Sequence, residues 1–145
     1  MRYALAVAML ITGVVVSEEL LERTNAITTL TAEHAQVLAL HNGDLYLNGL
    51  TTLTDEAAKA LSQHMGWLEL NGLTKLTDKG SQALGQHKGD GLSLNGLTKL
   101  TDQAAKALAQ HKGWLELSGV TTLSAQAAAA LRANPRIVSP AKYKY

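Results

Sequence analysis

Two stretches decide the architecture of this chain. Residues 45–67 read LYLNGLTTLTDEAAKALSQHMGW and residues 92–114 read LSLNGLTKLTDQAAKALAQHKGW, identical at 18 of 23 positions. Between them lies a copy one residue longer, residues 68–91. Residues 115–137 form a diverged copy, LELSGVTTLSAQAAAALRANPRI. Upstream, residues 22–44 align in register through Asn25, Ile27, Leu30, Thr31, Leu38, His41 and Gly43. A fixed period near 23 marks repeated units that cannot bury their apolar faces alone and must stack.

One unit translates directly into structure. Leu45-Tyr46-Leu47 alternates, as does a short strand with one buried face. Asn48-Gly49 signals a turn and invites a hairpin with residues 50–53 as the return strand. Leu50 and Leu53 are three apart, however, and a strand would turn one of them to water. A turn that feeds both inward avoids the conflict. Thr54 sits at the N-cap position, with Asp55 and Glu56 in the first helical turn, where negative charge suits the helix dipole. Ala57, Ala58, Ala60 and Leu61 follow at helical spacing, and His64-Met65-Gly66 closes the helix with Gly66 as a left-handed stop. So short a helix is marginal alone in water, and a three-residue strand is no sheet. Stacking in parallel about 4.8 Å apart solves both problems by packing Leu45, Leu47, Leu50, Leu53, Ala58 and Leu61 on their counterparts. The fold class expected is α/β: a solenoid with a parallel sheet on its concave side and short helices on its convex side.

The LxL strand, the later inward leucines and the helix on the return side resemble the leucine-rich repeat family. The likeness is to bacterial 23-residue versions with an LxLxGLTxLTDxAAxAL pattern, such as those of secreted planctomycete-type proteins. It spans residues 22 to about 138 and implies an architecture rather than an activity. In that family the asparagine comes three residues after the LxL. Here Asn48, Asn71 and Asn95 follow it at once, which argues against the family's buried asparagine ladder.

With 145 residues the chain is one domain's worth of material. At 46% hydrophobic and 17% charged it is too apolar for disorder. Thirteen Lys and Arg against twelve Asp and Glu exclude an electrostatic footprint for nucleic acid or anionic membranes. The absence of cysteine excludes disulfides, thiolate metal sites and a cysteine nucleophile. Residues 1–17 stand apart. After Met1-Arg2, residues 3–16 are interrupted only by Thr12 and Gly13 and would be apolar all round on a helix. The run is shorter than the roughly 20 residues of a membrane span. A basic start, a short apolar core and Val15-Val16-Ser17 fit a secretory signal peptide, with Glu18 opening the mature chain. A buried cap or uncleaved anchor is the alternative. A secreted, periplasmic or envelope location follows, with residues 18–138 as five repeats and 139–145 as a basic, aromatic tail after a last strand near 136–139.

Candidate sites fall into columns. His41, His64, His87 and His111 recur at intervals of 23, 23 and 24. If the helix side spreads the units by about 10 Å, neighbouring imidazoles lie too far apart to share one ion at metal–nitrogen distances of about 2 Å. Helix-end capping is expected, with no metal. Asn48, Asn71, Asn95 and Ser118 form a second column suited to satisfying turn amides. The pattern that does not repeat lies on the outward side of the strands: Asp44 and Tyr46, Trp67 and Glu69, Gly91 and Ser93, Trp114 and Glu116. Trp67 and Trp114 would stand two strand spacings apart, about 10 Å, with a gap over Gly91. Exposed indoles make binding hot spots, so this face is expected to bind a protein, or a glycan held between the two indoles. Self-association end to end is a third possibility. No catalytic motif, phosphate loop or cofactor signature appears, and Glu69 and Glu116 on an open sheet lack the water exclusion that catalysis wants. Finally, Gly80-Ser81, Gly85 and the extra residue around 88–91 mark the third unit as a weak seam, since glycine costs a helix about 1 kcal/mol relative to alanine.

Overall fold

The computed structural model describes residues 9–11, 14–16 and 24–140. Two short strands, β1 (Met9–Ile11) and β2 (Val14–Val16), pair antiparallel. A 3-10 turn (Thr24–Ala26) leads to α1 (Ala32–Ala39). Strand and helix then alternate: β3 (Leu45–Tyr46), α2 (Asp55–Leu61), β4 (Leu68–Glu69), α3 (Asp78–Gly85), β5 (Gly91–Ser93), α4 (Asp102–Leu108), β6 (Trp114–Glu116), α5 (Ala125–Arg132) and β7 (Ile137–Val138). Strands β3 to β7 form one sheet in sequence order, parallel throughout. The chain is therefore α/β, with five parallel strands and five helices among the described residues. Strands β1 and β2, within the apolar run expected to be a leader, lie against α1. The leader's expected cleavage after Ser17, the start at Glu18 and tail residues 141–145 lie outside the described residues. The expected last strand is β7.

The register follows the leucines. Leu45, Leu68, Leu92 and Leu115 sit side by side with Ile137 at the end of the row. Leu47, Leu50, Ala57, Ala58 and Leu61 are wholly buried. Leu53, expected inside with them, is only partly buried and packs at the rim of the core. Each of these leucines contributes roughly 2 kcal/mol when removed from water, a gain open to them only because the next unit covers them.

The helices start where hydroxyls stand. Thr31, Thr54, Thr77, Thr101 and Ser124 each accept a hydrogen bond from the backbone N–H three residues on, an arrangement worth about 1 kcal/mol per helix. The hydroxyls of Thr77, Thr101 and Ser124 also donate to Asp55, Asp78 and Asp102 of the preceding unit. The recurring aspartate thus does more than meet the helix dipole; it ties one helix start to the next.

Asparagines join the units on the strand side and satisfy the turn amides, as expected of their column; the position that argued against a buried ladder still allows a ladder, with Asn25 exposed and Asn48, Asn71 and Asn95 half-buried. The Oδ1 atoms of Asn25, Asn48, Asn71 and Asn95 accept from the backbone N–H groups of Asn48, Asn71, Asn95 and Ser118 at 3.0, 2.9, 2.9 and 2.8 Å. This is a continuous ladder. The turn that follows each strand opens its amides toward the preceding unit, so an asparagine directly after the LxL reaches them.

Two glycine readings are also corrected. Gly66 is not a left-handed helix stop: α2 is capped by Ser62 in the right-handed region, and among the described glycines Gly43 has the positive φ, 116°. A Cβ on Gly66 would lie 2.2 Å from the Gly43 carbonyl oxygen, so glycine is demanded by the close approach of successive backbones. Gly85 has the same cause. A Cβ there would come within 2.2 Å of the Ala107 carbonyl oxygen, so the residue read as weakening the third helix is what lets α3 lie against α4.

Candidate functional site

The outward side of the sheet gathers the residues singled out in the sequence, but not as evenly as their spacing suggested. Tyr46 is exposed, with its hydroxyl 3.5 Å from Asp44 Oδ2. The neighbouring Asp44 carboxylate raises the phenol's pKa above its ordinary value. Asp44 also turns its other oxygen to the backbone N–H of Trp67 at 3.1 Å. Glu69 accepts from Asn48 Nδ2 at 2.8 Å, and Glu116 accepts from Asn95 Nδ2 at 2.9 Å. Each carboxylate is held in place by an asparagine of the ladder, which fixes where its negative charge stands.

Ser93, expected on the open face, is 1% exposed. Its Oγ lies 2.8 Å from Asn71 Oδ1 and 3.0 Å from Glu116 Oε2, and it accepts from Asn95 Nδ2 at 3.0 Å. A short side chain between longer polar neighbours is roofed over by them, so Ser93 holds the network together and presents nothing to a partner.

The tryptophans differ as well. Trp114 is 52% exposed. Trp67 is half-buried, because its indole lies on the bare backbone of Gly91. A Cβ on Gly91 would fall 2.0 Å from Trp67 Cε3 and 2.2 Å from Cζ3. The expected gap between the two indoles is filled by one of them. What remains is an aromatic and acidic face with free rings at Tyr46 and Trp114 and Trp67 packed flat between.

The histidines depart furthest from expectation. His64, His87 and His111 are almost fully buried. Their backbone N–H groups close the preceding helices on Leu61, Leu84 and Leu108, yet their rings do not cap helix carbonyls. His64 Nε2 donates to the Gly43 carbonyl at 2.8 Å. His87 Nδ1 lies 3.2 Å from His111 Nε2. Ring centroids are 6.1 Å apart between His64 and His87 and 5.5 Å between His87 and His111, well short of the helix-packing distance anticipated. The histidines sit past the helix ends, where the units are spaced as the strands are. His41 is half-buried beside His64, and Asn134 takes the place after His111, donating to the carbonyls of Ala109 and His111. Burial lowers the pKa of all three rings; His87, with His111 and His64 beside it, falls to about 4. Among the described residues no group of three or more His, Asp or Glu side chains is placed to hold a metal ion.

The helix side carries a feature the sequence reading passed over. An open groove of about 710 Å³ is lined by Gln82, Gln86, Gln103, Lys106 and Gln110, among others. Its signal was the glutamines recurring on the outer helix positions, which are neither titratable nor aromatic. No helix among the described residues is long and apolar enough to cross a membrane. No family model, no curated protein and no solved structure matches the chain.

Proposed function

We propose that this chain is a leucine-rich repeat solenoid working as a non-enzymatic binding module, with the outward side of the sheet as its concave contact surface for a protein partner. The observation that carries the reading is the contrast between the two sides of one sheet. The inner strand positions keep leucine through four successive units, while the outer side differs from strand to strand and leaves Tyr46 and Trp114 exposed beside Asp44, Glu69 and Glu116. Aromatic side chains of this kind dominate binding energy when a partner desolvates them. A rigid ladder beneath holds the polar groups, so a partner meets them already ordered, which reduces the entropy cost of association. An apolar leader with a basic start supports a secreted, periplasmic or envelope setting for the interaction.

The test begins from native source material. Proteins that co-purify with the wild-type chain are identified and their affinity measured against Trp114→Ala, Tyr46→Ala and, on the helix side, Gln86→Ala. Loss with the first two and retention with the third supports the reading. The reverse pattern places the contact on the helices and overturns it. The glycan alternative loses its clasp because Trp67 covers Gly91. Tryptophan fluorescence unchanged by oligosaccharides at millimolar concentration removes it.

A further inference from the structure

The three buried histidines are joined in a way that carries its own consequence. Rings lying face to face would meet at about 3.5–4.0 Å. Here the planes of His87 and His111 are within 7° of parallel, yet their centroids are 5.5 Å apart and the facing nitrogens 3.2 Å. The centroid separation is the nitrogen–nitrogen distance plus two ring radii, so the imidazoles meet edge to edge in a common plane. Such a contact holds one proton. Neutral, one nitrogen donates and the other accepts. If both rings are protonated, two N–H groups point at each other and the contact is lost.

The rest of the column is arranged for neutral rings too. Because the Gly43 carbonyl can only accept, His64 carries its proton on Nε2, which leaves Nδ1 as a bare acceptor. His64 Nδ1, His87 Nε2 and His111 Nδ1 are buried without a hydrogen-bond partner. A further proton on His87 Nε2 finds no acceptor; beside His64 and His111 the backbone of Gly66 and of Gly113 favours the charged ring, but burial outweighs it in both.

Few charges are at hand to compensate. Of the charged and titratable groups, His41 and Asp44 act on His64, and Asp44 alone among them would favour the charged ring. His87 faces His64 and His111, both of which oppose its protonation. At His111 burial disfavours the charged ring and the Gly113 backbone partly offsets it. Lys88, Asp90 and Lys112, in the same segments, are exposed.

We propose that the histidine column is an acid-sensitive latch: it holds the second, third and fourth repeats together while its rings are neutral and opens on acidification, the His87–His111 contact being lost once both of its rings are protonated. The sign follows from the pKa shifts. Each ring's folded pKa lies below the unfolded value of about 6.5, so the unfolded chain binds more protons as the pH falls through 6.5. The column's stabilisation is complete above that pH. It is lost progressively on the way down to about 4, the value at which His87 takes its proton in the folded chain. The latch thus responds to acid in the range where histidine switches work, and it lies behind the strands that carry Trp67 and Trp114.

The test uses the full chain. Histidine-selective nitrogen NMR follows the tautomer and titration of each ring from pH 7.5 to 4, and thermal melting is recorded over the same range for wild type and for His87→Gln. The latch requires Nε2–H on His64 and titration of His87 at least about one unit below 6.5. It also requires a wild-type melting point that falls between pH 6.5 and 4, with the fall reduced by about half or more in the variant. Carboxylates titrate in both proteins and cancel in the comparison. A melting point that does not move, an equal fall in both proteins, or a His87 that titrates at 6.5 or above each overturns the proposal. The titration needs only wild type, so it decides the matter even where the variant folds poorly.

Discussion

Replacing Gly91 with alanine probes how the face is built. Gly91 lies in β5 with ordinary negative backbone geometry, so alanine is permitted by the chain. In a strand it should gain about 0.5–1 kcal/mol over glycine by restricting the unfolded state. The obstacle is Trp67, whose Cε3 and Cζ3 stand 2.0 and 2.2 Å from the new methyl. Nothing is accommodated at that distance, and the indole must swing off the sheet. Overpacking of this kind costs about 1–3 kcal/mol, which leaves Gly91→Ala destabilising by roughly 1–2 kcal/mol after the backbone gain. In a Trp67→Ala background the obstacle is gone, and the same substitution should stabilise by about 0.5 kcal/mol. The sign therefore reverses, with a coupling energy of about 2 kcal/mol in the double-mutant cycle. Urea unfolding followed by far-ultraviolet circular dichroism measures it without relying on tryptophan emission, with an unchanged m-value as the condition for comparison. Additive effects would refute the account of Trp67 as the lid of Gly91.

Other substitutions separate the remaining parts. Trp114→Ala should shift stability by less than about 0.5 kcal/mol, as surface changes do, while weakening partner binding by over about 1 kcal/mol; an equal loss of stability in Trp67→Ala and Trp114→Ala shows that both indoles are packing residues. Asn71→Ala removes the acceptor of the Asn95 N–H, while Ser93 Oγ keeps Glu116 as its acceptor, and should cost about 1–3 kcal/mol for the one orphaned group, whereas Asn25→Ala, at the exposed start of the ladder, should cost about 1 kcal/mol or less; equal urea midpoints contradict the ladder. Gly85→Ala gains about 1 kcal/mol in helix propensity but sets a methyl against the Ala107 carbonyl, so a net loss is expected, and a raised melting point means that the glycine was drift.

Much of the architecture was legible because repetition supplies the tertiary contacts in advance. A leucine that recurs once in every unit meets its own counterpart, so the buried face, the parallel register and the capping threonines follow from one unit read correctly. The outward pairing of Asp44 with Tyr46, Trp67 with Glu69 and Trp114 with Glu116 followed from strand alternation alone.

What escaped the sequence depended on the spacing between units, which no single unit contains. The histidines were placed by the wide separation of packed helices; past the helix ends the chain closes to strand spacing, and the rings of His87 and His111 touch. The same closeness decides that Gly66 and Gly85 are glycine for lack of room rather than for freedom of φ. It brings the turn amides within reach of asparagines whose place after the strand argued against a ladder, and it lays Trp67 over Gly91. The periodicity of residue types determined which faces are buried and which strands pair. Only the tertiary structure decided how near one repeat lies to the next, because that distance is set by backbone against backbone, where the residue that matters is the one without a side chain.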